Sequence, residues 1–224
     1  MLELIRQYDI LSAFLATIQL ALVSSLGALV IGTFVAVLRV SPVRIFQFAG
    51  AAYVNLVRNT PLTLIVFFMF FCLYTLLQWH ISPMSARSAT HAFQWGVIGL
   101  SIYHAAFVAE ALRSGVNTVP VGQAEAARAI GLTFSQTLTE IVLPQAFRGA
   151  IAPLGNTMIA LTKNTTVVST IGVAEASYAM KNAIEFSPDV LYLIFFVMAT
   201  GFVVLTLPMG IAFTHFSRKL AVQR

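Results

Sequence analysis

From Ile10 to Leu38 the chain runs for 29 residues without a charged side chain, and from Val190 to Ser217 for another 28. Crossing a bilayer as a helix takes about 20 apolar residues, so either run is long enough. A water-soluble fold would have to hide both in a core that 224 residues cannot supply. Composition agrees: 58% of residues are hydrophobic, and only 9% are charged, where soluble domains carry about 25%. Transmembrane β-barrels would show short segments of alternating polarity, and these are absent. The sequence therefore predicts an all-α, polytopic membrane protein.

Five spans are the economical count, over about 11–38, 45–79, 91–112, 151–172 and 189–215, forming a single transmembrane domain of residues 1–224. In the second, Ile45 to Val57 is too short to cross alone. Arg58-Asn59-Thr60-Pro61 breaks it from the rest, because proline lacks a backbone donor and restricts the residue before it. The first apolar run is about twice a signal-peptide core and is flanked by Glu3 and Asp9, so no cleavable signal is expected.

Five spans put the termini on opposite sides. One side collects Arg39, Arg44, Arg113, Arg128, Arg148, Arg218, Lys219 and Arg224; the other collects only Arg6, Arg87 and Lys181. The positive-inside rule then predicts a cytoplasmic C-terminus, an external N-terminus and a cytoplasmic loop at 117–148. Topology accounts for the net charge of +5 without a nucleic-acid partner. Cys72 has no second cysteine to pair with. His80, His91, His104 and His215 are scattered without ligand spacing, so no metal site is expected.

The 117–148 loop reads as two short helices around a bend. Pro120 suits a first helical turn, Gly131 a helix stop, and Thr133 or Ser135 a second N-cap. Leu143-Pro144 is expected to close the second helix before the chain re-enters the membrane. Glu125 and Arg128 are spaced to pair across one turn. Ala126, Ala129, Ile130, Leu132 and Phe134 are left to meet a partner's groove.

Glu125-Ala126-Ala127, Gly131 six residues after the glutamate, Ile141 ten further on, and Leu143-Pro144 together resemble the EAA loop of binding-protein-dependent ABC importer permeases. The stretches YVNLVRNTPL, FVAEALRSGVNTVPVGQ, LPQAFRGAIAPLGN and LTKNTTVVSTIGVAE look like the polar-amino-acid branch and cover most of Tyr53 to Glu175. Asn164 departs from the acidic residue that branch often carries after the lysine. The resemblance implies a type I importer permease fold. It implies that Glu125, Ala126, Ala127, Gly131, Leu132, Ile141, Leu143 and Pro144 form a coupling helix gripped by a cytoplasmic ATPase. It further implies two such ATPases holding ATP and Mg, a second permease identical or homologous to this one, and an external substrate-binding protein. The chain has no glycine-rich Lys-Ser/Thr phosphate loop, so it is expected to bind no nucleotide or other cofactor and to catalyse nothing itself.

Residues expected along a substrate path are Arg58, Asn59 and Thr60 at the broken helix, Glu110, and the run Lys163, Asn164, Thr165 and Thr166. A lysine at a helix centre costs about 2.5–3.5 kcal/mol on insertion, so Lys163 should face a cavity or a partner such as Glu110. Its cation would suit an amino-acid carboxylate, leaning toward glutamate or glutamine. The phenylalanine-rich Val66 to Cys72 reads as packing surface, and Gly27, Gly32 and Ala49 to Ala52 as places of close helix contact. An ion-coupled secondary transporter is the rival class. It would ask for repeated halves and several buried carboxylates, whereas only Glu110 is a plausible one here. A membrane anchor without transport would need no deep polar residues, so Lys163 weighs against it.

Overall fold

A computed structural model of the chain describes residues 2–220, with side chains from residue 5 to residue 219; Arg224 and the side chain of Glu3 lie outside that range. The described residues form helices and short connections. A short α1 (Leu2–Gln7) leads into α2 (Ile10–Val40), followed by α3 (Arg44–Arg58) and α4 (Leu62–Phe67), which widens into a π-helical stretch, Phe68–Leu76. Next come α5 (Ser88–Val116), α6 (Val121–Ala129) and α7 (Phe134–Gln136), the last continuing through π-helical turns at Thr137–Val142 into α8 (Leu143–Asn164). A 3-10 segment (Thr165–Ile171), α9 (Ala176–Phe186), a 3-10 turn (Pro188–Val190) and α10 (Leu191–Leu220) complete the described residues.

The three helical stretches Ile10–Val40, Ser88–Val116 and Pro188–Lys219 are long and apolar enough to cross a membrane. Arg44–Arg58 and Leu62–Leu76 make a fourth candidate, bent by 102° at the expected Asn59–Pro61 break. The span expected at 151–172 falls on α8, which starts before residue 151 and loses its α-helical winding at Asn164. At about 1.5 Å per residue, its 22 residues reach about 33 Å, but Arg148, Asn156, Lys163 and Asn164 dilute its apolarity.

Helix α5 is the central post: His91, Trp95, Leu100, His104, Ala105, Ala106, Val108 and Ala109 are all buried. Small residues let its neighbours approach. A Cβ on Gly27 would collide with Ser101, and one on Gly32 would sit 2.6 Å from Val108. Without those side chains, α2 lies directly against α5, as the sequence suggested. The opposite face of α2 presents Leu11, Leu15, Leu22, Leu26, Val30 and Phe34, all exposed. Along α10, Tyr192, Phe195, Phe196, Val204, Leu207 and Ile211 do the same. In a membrane these rows meet lipid, so their exposure is no penalty.

Gly50 confirms the close contact expected around Ala49–Ala52, since its Cβ would stand 2.7 Å from Arg39 Cγ. In the Val66–Cys72 run, Val66 is fully buried and Phe67 and Phe70 pack on the core, while Phe68 and Phe71 face outward. That run is packing surface.

Candidate functional site

Two regions carry polar chemistry. The first is the elbow between α5 and α8. Pro120 caps α6, whose helix ends at Gly131 with φ +93°, a left-handed conformation natural to glycine. No atom lies within 4 Å of the position a Cβ would take, so backbone geometry alone demands the glycine. Thr133 then opens the second arm as a reciprocal cap: its hydroxyl accepts from Gln136 N, while Gln136 Oε1 accepts from Thr133 N at 2.9 Å.

Two features of the elbow differ from expectation. Leu143-Pro144 does not end a helix. The chain winds on through π-helical turns into α8, and Pro144 sits just past the switch from π- to α-winding. No ion pair joins Glu125 to Arg128 among the described residues; Glu125 is exposed and free to face a partner. Ala127 and Thr137 are buried between the two arms, and Gln145 Nε2 donates to Gln123 Oε1 at 2.5 Å, tying α6 to the root of α8. On the outside stand Ala126, Ala129, Ile130 and Phe134, with Ile130 82% exposed. Leu132 and Ile141 are half-buried, and Leu143 and Pro144 are exposed. The elbow is therefore internally braced, with an apolar tip beside one carboxylate.

The second region lies along α5. Glu110 accepts from Arg39 of α2 and from Arg113, one turn on, at 2.5 Å, and Arg58 of α3 stands 4.0 Å away. Three guanidiniums thus converge on one carboxylate, and Lys163 is not among its partners. Arg58 also lies over the Phe107 ring, 5.4 Å from its centroid. Phe107 in turn lines a cavity of about 340 Å³ with Tyr103, His104, Asn156, Thr157, Ala160 and Asn164. In that cavity the His104 ring is oriented from both ends. Nδ1 donates to the Leu100 carbonyl at 2.9 Å, which leaves Nε2 to accept from Asn164 Nδ2 at 3.1 Å.

Arg58, Glu110 and Asn164 are therefore gathered around Phe107, while the other candidates go elsewhere. Asn59 and Thr60 donate to Asn55 and Leu56 carbonyls on their own helix. Thr165 and Thr166 likewise bond to the Thr162 and Lys163 carbonyls. Lys163 faces a separate groove of about 680 Å³ toward α10, lined by Thr206, Thr214, His215 and Arg218. The sequence reading missed Tyr103, His104, Phe107, Asn156 and Thr157. Asn156, Ala160 and Asn164 recur every four residues on α8, and that small-and-polar stripe was the available signal.

The chain matches the family model for the binding-protein-dependent transport system inner membrane component over residues 7–222. It is 49% identical over 218 residues to the glutamate transport system permease protein GluC of Corynebacterium efficiens, covering 96% of each chain. Against the probable glutamine ABC transporter permease protein GlnM of Bacillus subtilis it is 34% identical over 210 residues, 94% of this chain and 92% of that one. Its fold superposes on the crystal structure of an amino acid ABC transporter with histidines, with TM-score 0.84, 25% identity and 97% of both chains covered. A helical bundle with a braced elbow, matched across nearly its whole length, belongs to the binding-protein-dependent transport-system inner-membrane components, the permeases of ABC importers.

Proposed function

We propose that this chain is the membrane-embedded subunit of an ATP-driven importer for glutamate or a closely related polar amino acid, with its elbow gripped by a cytoplasmic ATPase. The observation that carries this reading is the elbow itself. A loop whose two arms are cross-braced, whose bend is set by Gly131, and whose tip exposes Ile130 and Phe134 beside Glu125 is built to transmit force to a partner. Identity of 49% to a glutamate permease supports the substrate class. Arg58, beside the Tyr103–Asn164 cavity, supplies a cation suited to an anionic substrate, and His104 and Asn164 supply neutral hydrogen bonds.

In this reading the chain spans the membrane five times, with its N-terminus outside and its C-terminus in the cytoplasm. Two permease subunits sit over two ATPases that hold ATP and Mg, and an external protein delivers the amino acid. The chain contributes the pathway and the handle, and hydrolysis happens in the partner. Replacing Gly131 by Asp tests the handle. The variant should insert in the membrane at normal levels while substrate-stimulated ATP hydrolysis and uptake fall at least about tenfold. Normal hydrolysis and uptake in that variant would sink the docking role.

A further inference from the structure

The four histidines that looked scattered in sequence are not all apart in space. His80, in the connection after the π-helical stretch, and His91, in the first turn of α5, lie with ring centroids 5.5 Å apart. Tyr74 closes a triangle with them, stacked on His91 at 5.0 Å and edge-on to His80 at 5.4 Å. His91 is 1% exposed, yet neither of its ring nitrogens has a hydrogen-bond partner, and His80 Nδ1 is also buried and unpartnered. Leaving one such group unsatisfied costs about 1–3 kcal/mol, so three on two neighbouring rings ask for a ligand.

A third donor is held in place nearby. Gln94, three residues after His91 and so on the same helix face, donates through Nε2 to Ser82 Oγ at 2.6 Å. Ser82 lies two residues beyond His80, so this bond clasps the connection against α5. It leaves Gln94 Oε1 buried with no partner. Imidazole nitrogens and an amide oxygen with free lone pairs are metal ligands, and imidazole suits zinc, copper and nickel.

We propose that His80 and His91, with Gln94 Oε1 as third protein donor, bind a divalent transition-metal ion of the zinc class. The ring spacing fits. With metal–nitrogen bonds of about 2.0–2.1 Å and a tetrahedral angle, two ligating imidazoles have centroids roughly 5.2 Å apart. The observed 5.5 Å, with ring planes at 69°, is within a small adjustment of that. Stacking on Tyr74 restricts rotation of the His91 ring. Among the described residues no third histidine, cysteine or carboxylate joins the pair. The remaining position therefore falls to water, and affinity is weaker than in closed four-ligand sites. His80 is only half-buried, in a connection whose neighbours Trp79 and Ile81 are exposed, which gives the ion a route in. Bound metal pins the 77–87 connection to the start of α5.

The test uses the full chain, purified in detergent through a tag without histidine and titrated with Co²⁺ and then Zn²⁺. Expected are a tetrahedral cobalt absorption in the visible, its displacement by zinc, and a rise in melting temperature with zinc. His80→Gln and His91→Gln should each weaken binding by more than about tenfold, since losing even an outer partner costs that much. Tyr74→Phe keeps the ring stack and should keep the cobalt spectrum. His80→Gln, in a half-buried loop position, guards against a folding defect in the His91 variant. No cobalt spectrum in the unmodified chain, or a spectrum surviving in either histidine variant, overturns the proposal.

Discussion

Glu110 holds three elements together with one charge. Arg39 brings α2 to it, Arg58 the end of α3, and Arg113 its own helix, so the carboxylate staples the bundle where the broken helix turns. Removing it leaves three guanidiniums facing one another with little to neutralise them. Its side chain is about a quarter exposed, which places the effect between the surface and buried limits for ion pairs. Glu110→Gln should therefore cost about 1–3 kcal/mol, read as a lower melting temperature in detergent that added salt partly restores. An unchanged melting temperature would show the cluster to be idle. Glu175, on the connection between the 3-10 segment and α9, makes the opposite case. It caps α9 by accepting from Ser177 N and Tyr178 N, but it is fully buried, and burial raises its carboxyl to about 7 despite those bonds and Lys181. A folded-state value above the unfolded one means the fold prefers the protonated form. The associated stability is complete below about pH 4.5 and is lost as pH rises through about 7, up to about 3 kcal/mol. Melting temperature measured from pH 5 to pH 8 should fall more steeply in the native chain than in Glu175→Gln, which cannot titrate.

At the scale of elements, Gly131 sets the angle between the two arms of the elbow. Alanine there would have to adopt a left-handed conformation that costs about 1–2 kcal/mol, and empty space around the position offers no steric compensation. Gly131→Ala should leave the span helices folded, with unchanged melting, yet reduce stimulated ATP hydrolysis less severely than Gly131→Asp. An equal loss in both would place the cause in the backbone angle alone, and a loss confined to Gly131→Asp would place it in the added charge. The bend was legible because glycine, proline and threonine each have a local conformational reason to stand where they do. The break at Asn59–Pro61 was legible for the same reason. Other boundaries were not. Phe68–Leu76 and Thr137–Val142 wind as π-helix, but a wider turn changes the hydrogen-bond partner and not the apolar character of the residues, so periodicity cannot report it. Leu143-Pro144 looked like a stop because proline ends helices from inside; here it lies where π-winding passes into α-helix, and the winding runs on. The meetings of Glu110 with Arg39 and of His104 with Asn164 join residues 71 and 60 positions apart, and local spacing carries no trace of them. Lys163 was singled out for its charge, but it lies on the side of α8 that lines the groove toward α10.

Across the whole molecule, polarity is sorted by end as well as by face. The apolar rows on α2 and α10 form the sides of the bundle. Arg39, Arg44, Arg113, Arg128 and Arg148 flank the turns on the side of the elbow, while the 77–87 connection and α9 sit beyond the other ends of the spans. In the proposed topology the two ends face different compartments, and by the positive-inside rule the arginine-rich elbow side is the expected cytoplasmic one. Cys72 is the sole cysteine, so a Cys72→Ser background is free of thiols and single cysteines can report sidedness. Ser135 on the elbow and Ser85 in the far connection are both exposed, and neither takes part in the contacts that hold the bundle together. In intact cells a membrane-impermeant maleimide should label Ser85→Cys and spare Ser135→Cys, and in inverted vesicles the pattern should reverse. Labelling of Ser135→Cys from outside would place the elbow beyond the reach of any cytoplasmic ATPase, and the transport mechanism would fall with it. Labelling of both positions from one side would instead mean an even number of crossings between them, so the same pair of variants also tests whether α5 spans the membrane.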